Sequence, residues 1–447
     1  MITRSKTYNE NYAAKIVKIN NLRKHNNADR LQVSTVDGNN VIVGLDTKIG
    51  DVVLFFPIES AINKEFLSWS NSFQDADLNQ NKEKKGFFEK NGRVRCLKLR
   101  GERSEGYCIS VNQLENWLCE KIWHRASLSE CVNQEFDTIY GILLCEKYVS
   151  RVNKYSNVQG TGKKAVKPKR FDRLVENQFR FHIDTVHLGK NLHRINANDV
   201  ISISKKLHGT SFIVSRLLTR KKLKWYEKCL KAVSVQIVNT HYDMLYASRK
   251  VLKNRYIRKE RNNQNHFYSY DLWSDIAEEL QPYLVDGMSI YGECVGFTKT
   301  GKYIQKGYDY GCDQSRGEHR LYIYRITYTT PDGHVFELSY VQIADFCKKY
   351  RLLVVPMLYW GYAKDLFDQS KDESSWEDFL MKKLSDTFLE KDCDMCVNKV
   401  PAEGIVVRPE RGEFEAYKLK SFRFKEVETK MLDAGEENME DNQVEEI

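Results

Sequence analysis

The chain contains no uninterrupted apolar run approaching the roughly 20 residues that a membrane-spanning helix needs, so no membrane contact is expected. Its opening stretch, MITRSKTYNENYAAK, lacks an apolar core, and no secretory signal is expected there. No segment recurs at a fixed period, which excludes solenoids and propellers. A paired cysteine framework is also missing. The eleven cysteines are odd in number and scattered, which argues for free thiols in a reducing, cytoplasmic setting rather than a disulfide scaffold. Cys393 and Cys396 form a lone CxxC without the two further ligands of a tetrahedral zinc site, and they read as ordinary loop thiols. Basic residues are absent from 433–447, an acidic tail expected to be disordered.

That tail hides part of the charge of the rest. The 447 residues carry a formal net charge of +9, so the body is more basic than the total, and a basic body favours polyanions, nucleic acid first. A hydrophobic content of 41% suits globular domains, two or three at this length. Residues 1–148 read as β-rich. Alternating apolar positions over 12–20 and 31–36, a turn at Asp37-Gly38, a second strand over 40–45 and a buried strand over 52–56 ending at Pro57 together predict a small barrel. Residues 149–173 concentrate Lys154, Lys163, Lys164, Lys167, Lys169, Arg170 and Arg173 and read as a basic linker. From 174 to 430 strands and helices mix. Strands are expected over 200–204 and 212–217, a helix over 339–350, and another carrying the core stripe Trp376, Phe379, Leu380, Leu384 and Phe388, capped by Ser374 or Ser375. The tail is taken from 431.

Four segments in this third part carry chemistry. Ile203-Ser204-Lys205-Lys206-Leu207-His208-Gly209-Thr210 ends an apolar strand on lysine, and Lys206 is a nucleophile if desolvation or nearby cations lower its pKa. Gly209 lets the backbone approach a ligand closely. Ser289–Gly296 places Glu293 between two glycines, and Ala402–Pro409 places Glu403 just before an apolar strand. In Ala416-Tyr417-Lys418-Leu419-Lys420 the two lysines lie two apart, on one face of a strand, where their repulsion calls for an anion such as phosphate. Strand alternation points Lys205 away from any pocket that holds Lys206.

Each segment is weak alone, but in this order they resemble motifs I, III, IV and V of the covalent nucleotidyltransferase superfamily of ligases and capping enzymes. His208 after Lys206-Leu207, with Ser211 where DNA ligases and capping enzymes usually carry arginine, is similar to the RNA ligase 2-like branch. Phe179-Arg180-Phe181-His182-Ile183-Asp184-Thr185, Tyr246-Ala247-Ser248-Arg249-Lys250 and Leu321-Tyr322-Ile323-Tyr324-Arg325-Ile326-Thr327 resemble the Deinococcus-type RNA ligases, which carry an N-terminal OB domain. The basic loop over 92–103 would belong to that domain. The segment over 24–31 is also similar to a different OB module of tRNA-handling proteins.

The resemblance implies an α+β protein: an OB-like, nucleic-acid-binding barrel over 1–148, followed over 174–430 by an adenylyltransferase domain of antiparallel sheets flanked by helices. It implies ATP-dependent sealing of 3′-OH and 5′-phosphate RNA ends through lysyl-AMP on Lys206 and an RNA-adenylate. Nicked duplex RNA or an RNA/DNA hybrid would be the partner and a monomer the working unit. Lys418 and Lys420 would grip the α-phosphate and lower the pKa of Lys206 by like-charge proximity. Glu403 would hold Mg²⁺ or Mn²⁺, with Glu293 on the ribose hydroxyls or sharing the metal. Tyr324 would stack on adenine. Arg249 would contact the nucleotide or the RNA phosphate, and His208, Gly209 and Ser211 would line the nucleotide pocket. The competing readings are a GTP-using capping enzyme, a DNA ligase, a nucleic-acid-binding protein with an inactive transferase domain, and a tRNA-binding module fused to something unrelated.

Overall fold

The computed structural model describes residues 1–123, 127–149, 173–232, 236, 238–249, 251–253, 271–367 and 374–435. Apart from Val149 and Arg173, the expected basic linker lies outside the described residues, as do Lys250 and the acidic tail from 436 onward.

The N-terminal part is built from β1 (Ala14–Lys18), β2 (Leu31–Val36), β3 (Asn39–Gly44), β4 (Val52–Pro57), β5 (Gly106–Ser110) and α1 (Val111–Ile122). β2 and β3 form the expected hairpin, with Val36 opposite Asn39. Its two-residue turn needs positive φ at both positions, and Asp37 (46°) and Gly38 (75°) supply it. β4 lies between β5 and β1 in a second antiparallel sheet. Glu105 N–H donates to the Asn40 carbonyl (2.7 Å) and folds the hairpin against the start of β5. The period of two then explains why β4 is apolar throughout. Val53 and Phe55 pack inside the barrel with Val17, Val36, Val41 and Val43, while Leu54 and Phe56 pack on the other side against Leu114, Trp117 and Leu118 of α1.

The remainder comprises β6 (Val200–Lys206), β7 (Thr210–Arg220), β8 (Thr240–Ala247), α2 (Leu272–Leu280), β9 (Met288–Gly296), β10 (His319–Thr329), α3 (Tyr340–Tyr350), β11 (Met357–Tyr362), α4 (Trp376–Phe388), β12 (Gly404–Pro409), β13 (Tyr417–Lys420) and α5 (Phe422–Asp433). One sheet runs β13-β12-β6-β11, with Val186–His187 added in parallel at the β13 edge; the other runs β8-β7-β9-β10. α3 begins in a capping box between Ser339 and Gln342. α4 is capped by Ser375, whose Oγ accepts from Asp378 N–H at 3.2 Å.

One parity of the first sheet decides everything that follows. Ile201 and Ile203 of β6, Ile405 and Val407 of β12, and Leu419 of β13 are buried against Leu380 and Leu384 of α4. The alternate residues therefore face the other sheet. α2 and α3 cover the far side of that second sheet through Trp273, Ile276, Ile343 and Cys347.

The two parts meet along α5. Lys425 Nζ donates to Glu105 Oε1 (2.9 Å), and Thr429 Oγ1 accepts from Cys96 N–H (3.2 Å). Arg93, from the basic loop assigned to the OB domain, turns inward to Glu59 (3.0 Å) and Asp433. The expected tail boundary at 431 is therefore too early, because the helix continues to Asp433 and is fastened there. Among the described residues no helix is long and apolar enough to cross a membrane.

Candidate active site

The parity of the first sheet lays out a floor. Lys206, Ser204 and Ser202 of β6, Val406 and Arg408 of β12, and Lys420 and Lys418 of β13 all line one cavity between the sheets. Lys206 stands opposite Gly404, and Gly404 opposite Lys420, so the three motifs that sequence spacing separates by as many as 214 residues meet at one end. Lys205 turns out of this row to Asp394.

At that end Lys206 Nζ is 2.7 Å from Oε1 of Glu403, and Lys420 Nζ is 3.3 Å from the same oxygen. Glu403 is only 4% exposed, so its charge has little water to share and is balanced by the two amines. Lys420 is also held by both carboxylate oxygens of Glu428 on α5, at 2.8 and 3.0 Å. The anions expected between the paired lysines are thus in part the protein's own. Lys418 is pushed down to about 7 by burial, by Lys420 and by Lys206. A buried amine poised near neutrality takes up a proton when an anion arrives.

The second sheet forms the opposite wall. Glu293 Oε1 accepts from Gly209 N–H (3.0 Å), and the Tyr310 hydroxyl accepts from His208 N–H (2.7 Å), so the loop after Lys206 is fixed from below. Gly209 is required here for a reason other than ligand approach: a Cβ would lie 2.3 Å from the Cys294 carbonyl oxygen. The His208 ring packs edge-on against Tyr308 and Phe424, and Ser211 lines the cavity across from Glu293 in register. Tyr324 is the extra residue of a β-bulge, because Arg325 pairs with Tyr291 and Ile323 with Gly292. The bulge re-aims its ring into the cavity, where the hydroxyl meets His182 Nδ1 at 2.8 Å. Arg249 lines the same wall and is ion-paired to Asp184 at 2.8 Å. Burial raises the Asp184 carboxyl, but Arg249 and its hydrogen bonds pull it below the usual range overall.

All ten residues proposed from sequence therefore border one site. Sequence reasoning missed Glu428, His182 and Asp184, and the cavity walls that the N-terminal part supplies through Tyr12, Glu59 and Tyr148. Asp184 and His182 lay within a segment already singled out; Glu428, on an amphipathic helix, gave no signal. Among the described residues no three His, Cys, Asp or Glu side chains gather into a metal cage. Glu403 presents a carboxylate at the lysine cluster, an oxygen donor of the kind that a hard cation such as Mg²⁺ or Mn²⁺ accepts.

A family model described as RNA ligase matches residues 199–427, just over half of the chain, and an OB-fold domain model matches residues 13–111. No curated protein matches. Among solved structures, a mutant of Naegleria gruberi RNA ligase with ATP and Mn is similar at a TM-score of 0.55 and 15% identity, over 93% of this chain and 98% of that one. Naegleria gruberi RNA ligase with PPi is similar at a TM-score of 0.54 and 15% identity, over 95% and 100%. At that identity the likeness establishes the shared α+β fold, an OB-fold domain preceding an antiparallel two-sheet domain. The family-model match goes further: the chain belongs to the RNA ligase family, enzymes of the nucleotidyltransferase class.

Proposed function

We propose that the chain seals RNA 3′-OH and 5′-phosphate ends with ATP, at nicks in duplex RNA or RNA/DNA hybrids, through lysyl-AMP on Lys206. The observation that carries this reading is the contact of Lys206 Nζ with Glu403 at 2.7 Å, beside Lys420 and Lys418. In the first step the Lys206 ammonium gives up a proton to solvent, the freed amine attacks the α-phosphorus, an Nζ–P bond forms as the amine sheds a second proton, and pyrophosphate leaves. The 5′-phosphate of RNA then takes the AMP and frees the amine. Finally the 3′-hydroxyl loses its proton and attacks the phosphorus of the RNA 5′-phosphate, and AMP departs as the phosphodiester closes. Lys418 and Lys420 bind the non-bridging oxygens and stabilise the charge that builds there. Glu293 holds the Gly209 loop and offers its second oxygen to the ribose. Tyr324 stacks on the base, and Arg249 releases Asp184 or carries it along to meet a phosphate. A divalent cation at Glu403 would supply charge neutralisation for the phosphates and the leaving pyrophosphate.

The residues 1–148 and 174–430 act as two domains in this reading, with the first gripping RNA while also walling the cavity, and the site is complete within one chain. The test is transfer of label from α-labelled ATP to the protein and sealing of a nicked duplex. Lys206→Ala and Lys206→Arg should both fail to take label, since guanidinium stays protonated. Label retained by either variant, or label taken from GTP in preference to ATP, defeats the proposal.

A further inference from the structure

Along the floor of the cavity, away from Lys206, lies a buried arginine that none of the roles above uses. Arg408 shares the floor of the site, but it pairs in register with Ser202 whereas Lys206 pairs with Gly404. Four residues of strand therefore separate it from the charge cluster, about 13 Å at roughly 3.3 Å per residue. The floor between is made of small side chains, Ser202, Ser204, Val406 and Ala416, and Tyr324 faces it from the opposite sheet. A flat ring fits such a slot, and a nucleotide whose α-phosphate meets Lys206 lays its base there.

Arg408 is 6% exposed, and its orientation is set on two sides. Nη2 donates to the Leu338 carbonyl at 2.6 Å, and Nε faces Oε1 of Glu410 at 3.8 Å, beyond hydrogen-bond reach. Glu410 is in turn held by the Ser202 hydroxyl (2.6 Å) and Tyr340 N–H (3.0 Å), and the Phe414 ring lies 5.3 Å from the guanidinium carbon. Neither Nη1 nor Nε has a hydrogen-bond acceptor among the described residues. A buried cationic donor held this firmly and left without an acceptor is costly unless something else accepts from it. Because one Nη2 hydrogen is held by Leu338 and Nε is turned to Glu410, Nη1 is the group with both hydrogens uncommitted, on a residue that borders the cavity. That matches a single ring nitrogen rather than the paired acceptors of guanine, which an arginine takes with two parallel donors.

We infer that Arg408 is a specificity-determining residue that reads the nucleobase, its Nη1 donating to one ring nitrogen of adenine. The inference rests on the reading that Lys206 takes AMP from ATP, and the experiment separates the two. Lysine adenylylation is followed with ATP and with its 1-deaza, 3-deaza and 7-deaza analogues, each lacking one ring acceptor. Wild type should lose about tenfold or more in kcat/KM with one of the three, the scale of a hydrogen bond from a charged donor. Arg408→Lys keeps the charge but not the fixed donor. It should raise KM for ATP to the level of that analogue, erase the discrimination and leave kcat within about threefold. A purely structural arginine would lower all four nucleotides together. Equal use of all four by wild type overturns the inference without any variant, and so does discrimination that survives in Arg408→Lys. Failure of wild type to form any adenylate with ATP would remove the inference together with the reading beneath it.

Discussion

Lys420 is held by Glu428, both carboxylate oxygens lying within 3.0 Å of its amine. The pairing joins the last strand of the floor to α5, one residue beyond the stretch that the RNA ligase family model matches. α5 is itself fastened to the N-terminal part through Lys425, Thr429 and Asp433. The barrel thus fixes the helix that supplies a counter-ion to Lys420, which under the proposed mechanism gives it a bearing on the first chemical step as well as on RNA.

Glu428→Gln tests this link. An incoming phosphate must compete with Glu428 for Lys420, so removing the carboxylate charge while keeping its shape should lower KM for ATP in lysine adenylylation, by about threefold on the scale of a partly buried ion pair. Steady-state adenylylation over a range of ATP concentrations reads this directly. A raised KM would mean that Glu428 serves to orient Lys420 rather than to compete for it.

The depressed amine of Lys418 makes a second, independent prediction. In the unfolded chain a lysine titrates near 10.4, whereas Lys418 in the folded chain is pushed down to about 7. Between those values the unfolded state holds a proton that the folded state lacks. This group's contribution to stability therefore rises with pH from about 7 to 10 and is at its least favourable below 7. An anion beside it restores the proton. Binding of sulfate, an anion that does not itself titrate in this range, should therefore take up about 0.5 to 1 proton at pH 8, with almost none at pH 6. Calorimetry in buffers of different ionisation enthalpy measures the uptake; none at pH 8 would place Lys418 away from the anion.

The barrel and the chemistry were legible for different reasons. Strand parity and the Asp37-Gly38 turn are local, and they gave the hairpin and the doubly buried β4. The four motifs needed only residue type and order, and Lys206, Glu403, Lys418 and Lys420 meet as that order implies. What stayed hidden depends on long-range docking. Nothing in the basic loop shows that Arg93 is covered by α5, and Gly209 reads as a ligand-approach glycine until β9 is placed beneath it. Tyr324 is placed at the nucleotide by resemblance, but the bulge that it occupies is not foreseen by any period of two.

Arg93 measures what that docking contributes. Its side chain is 1% exposed and paired with Glu59 and Asp433. Removing one partner of a buried pair strands the others, so Arg93→Ala should cost about 3 kcal/mol in denaturant unfolding. Burial also pushes the Glu59 carboxyl up to about 7 against the pull of Arg93, so the variant should lose less at pH 6, where Glu59 is largely neutral, than at pH 8. An equal loss at both pH values would separate Arg93 from the charge of Glu59.

The central claim is that one amine, Lys206, carries the nucleotide. Intact mass of the protein after incubation with ATP and Mg²⁺ tests it most directly. The account predicts a gain of one AMP that maps to the peptide containing Lys206 and disappears when nicked duplex RNA bearing a 5′-phosphate is added. An unchanged mass, or an adenylate on any other residue, would contradict it.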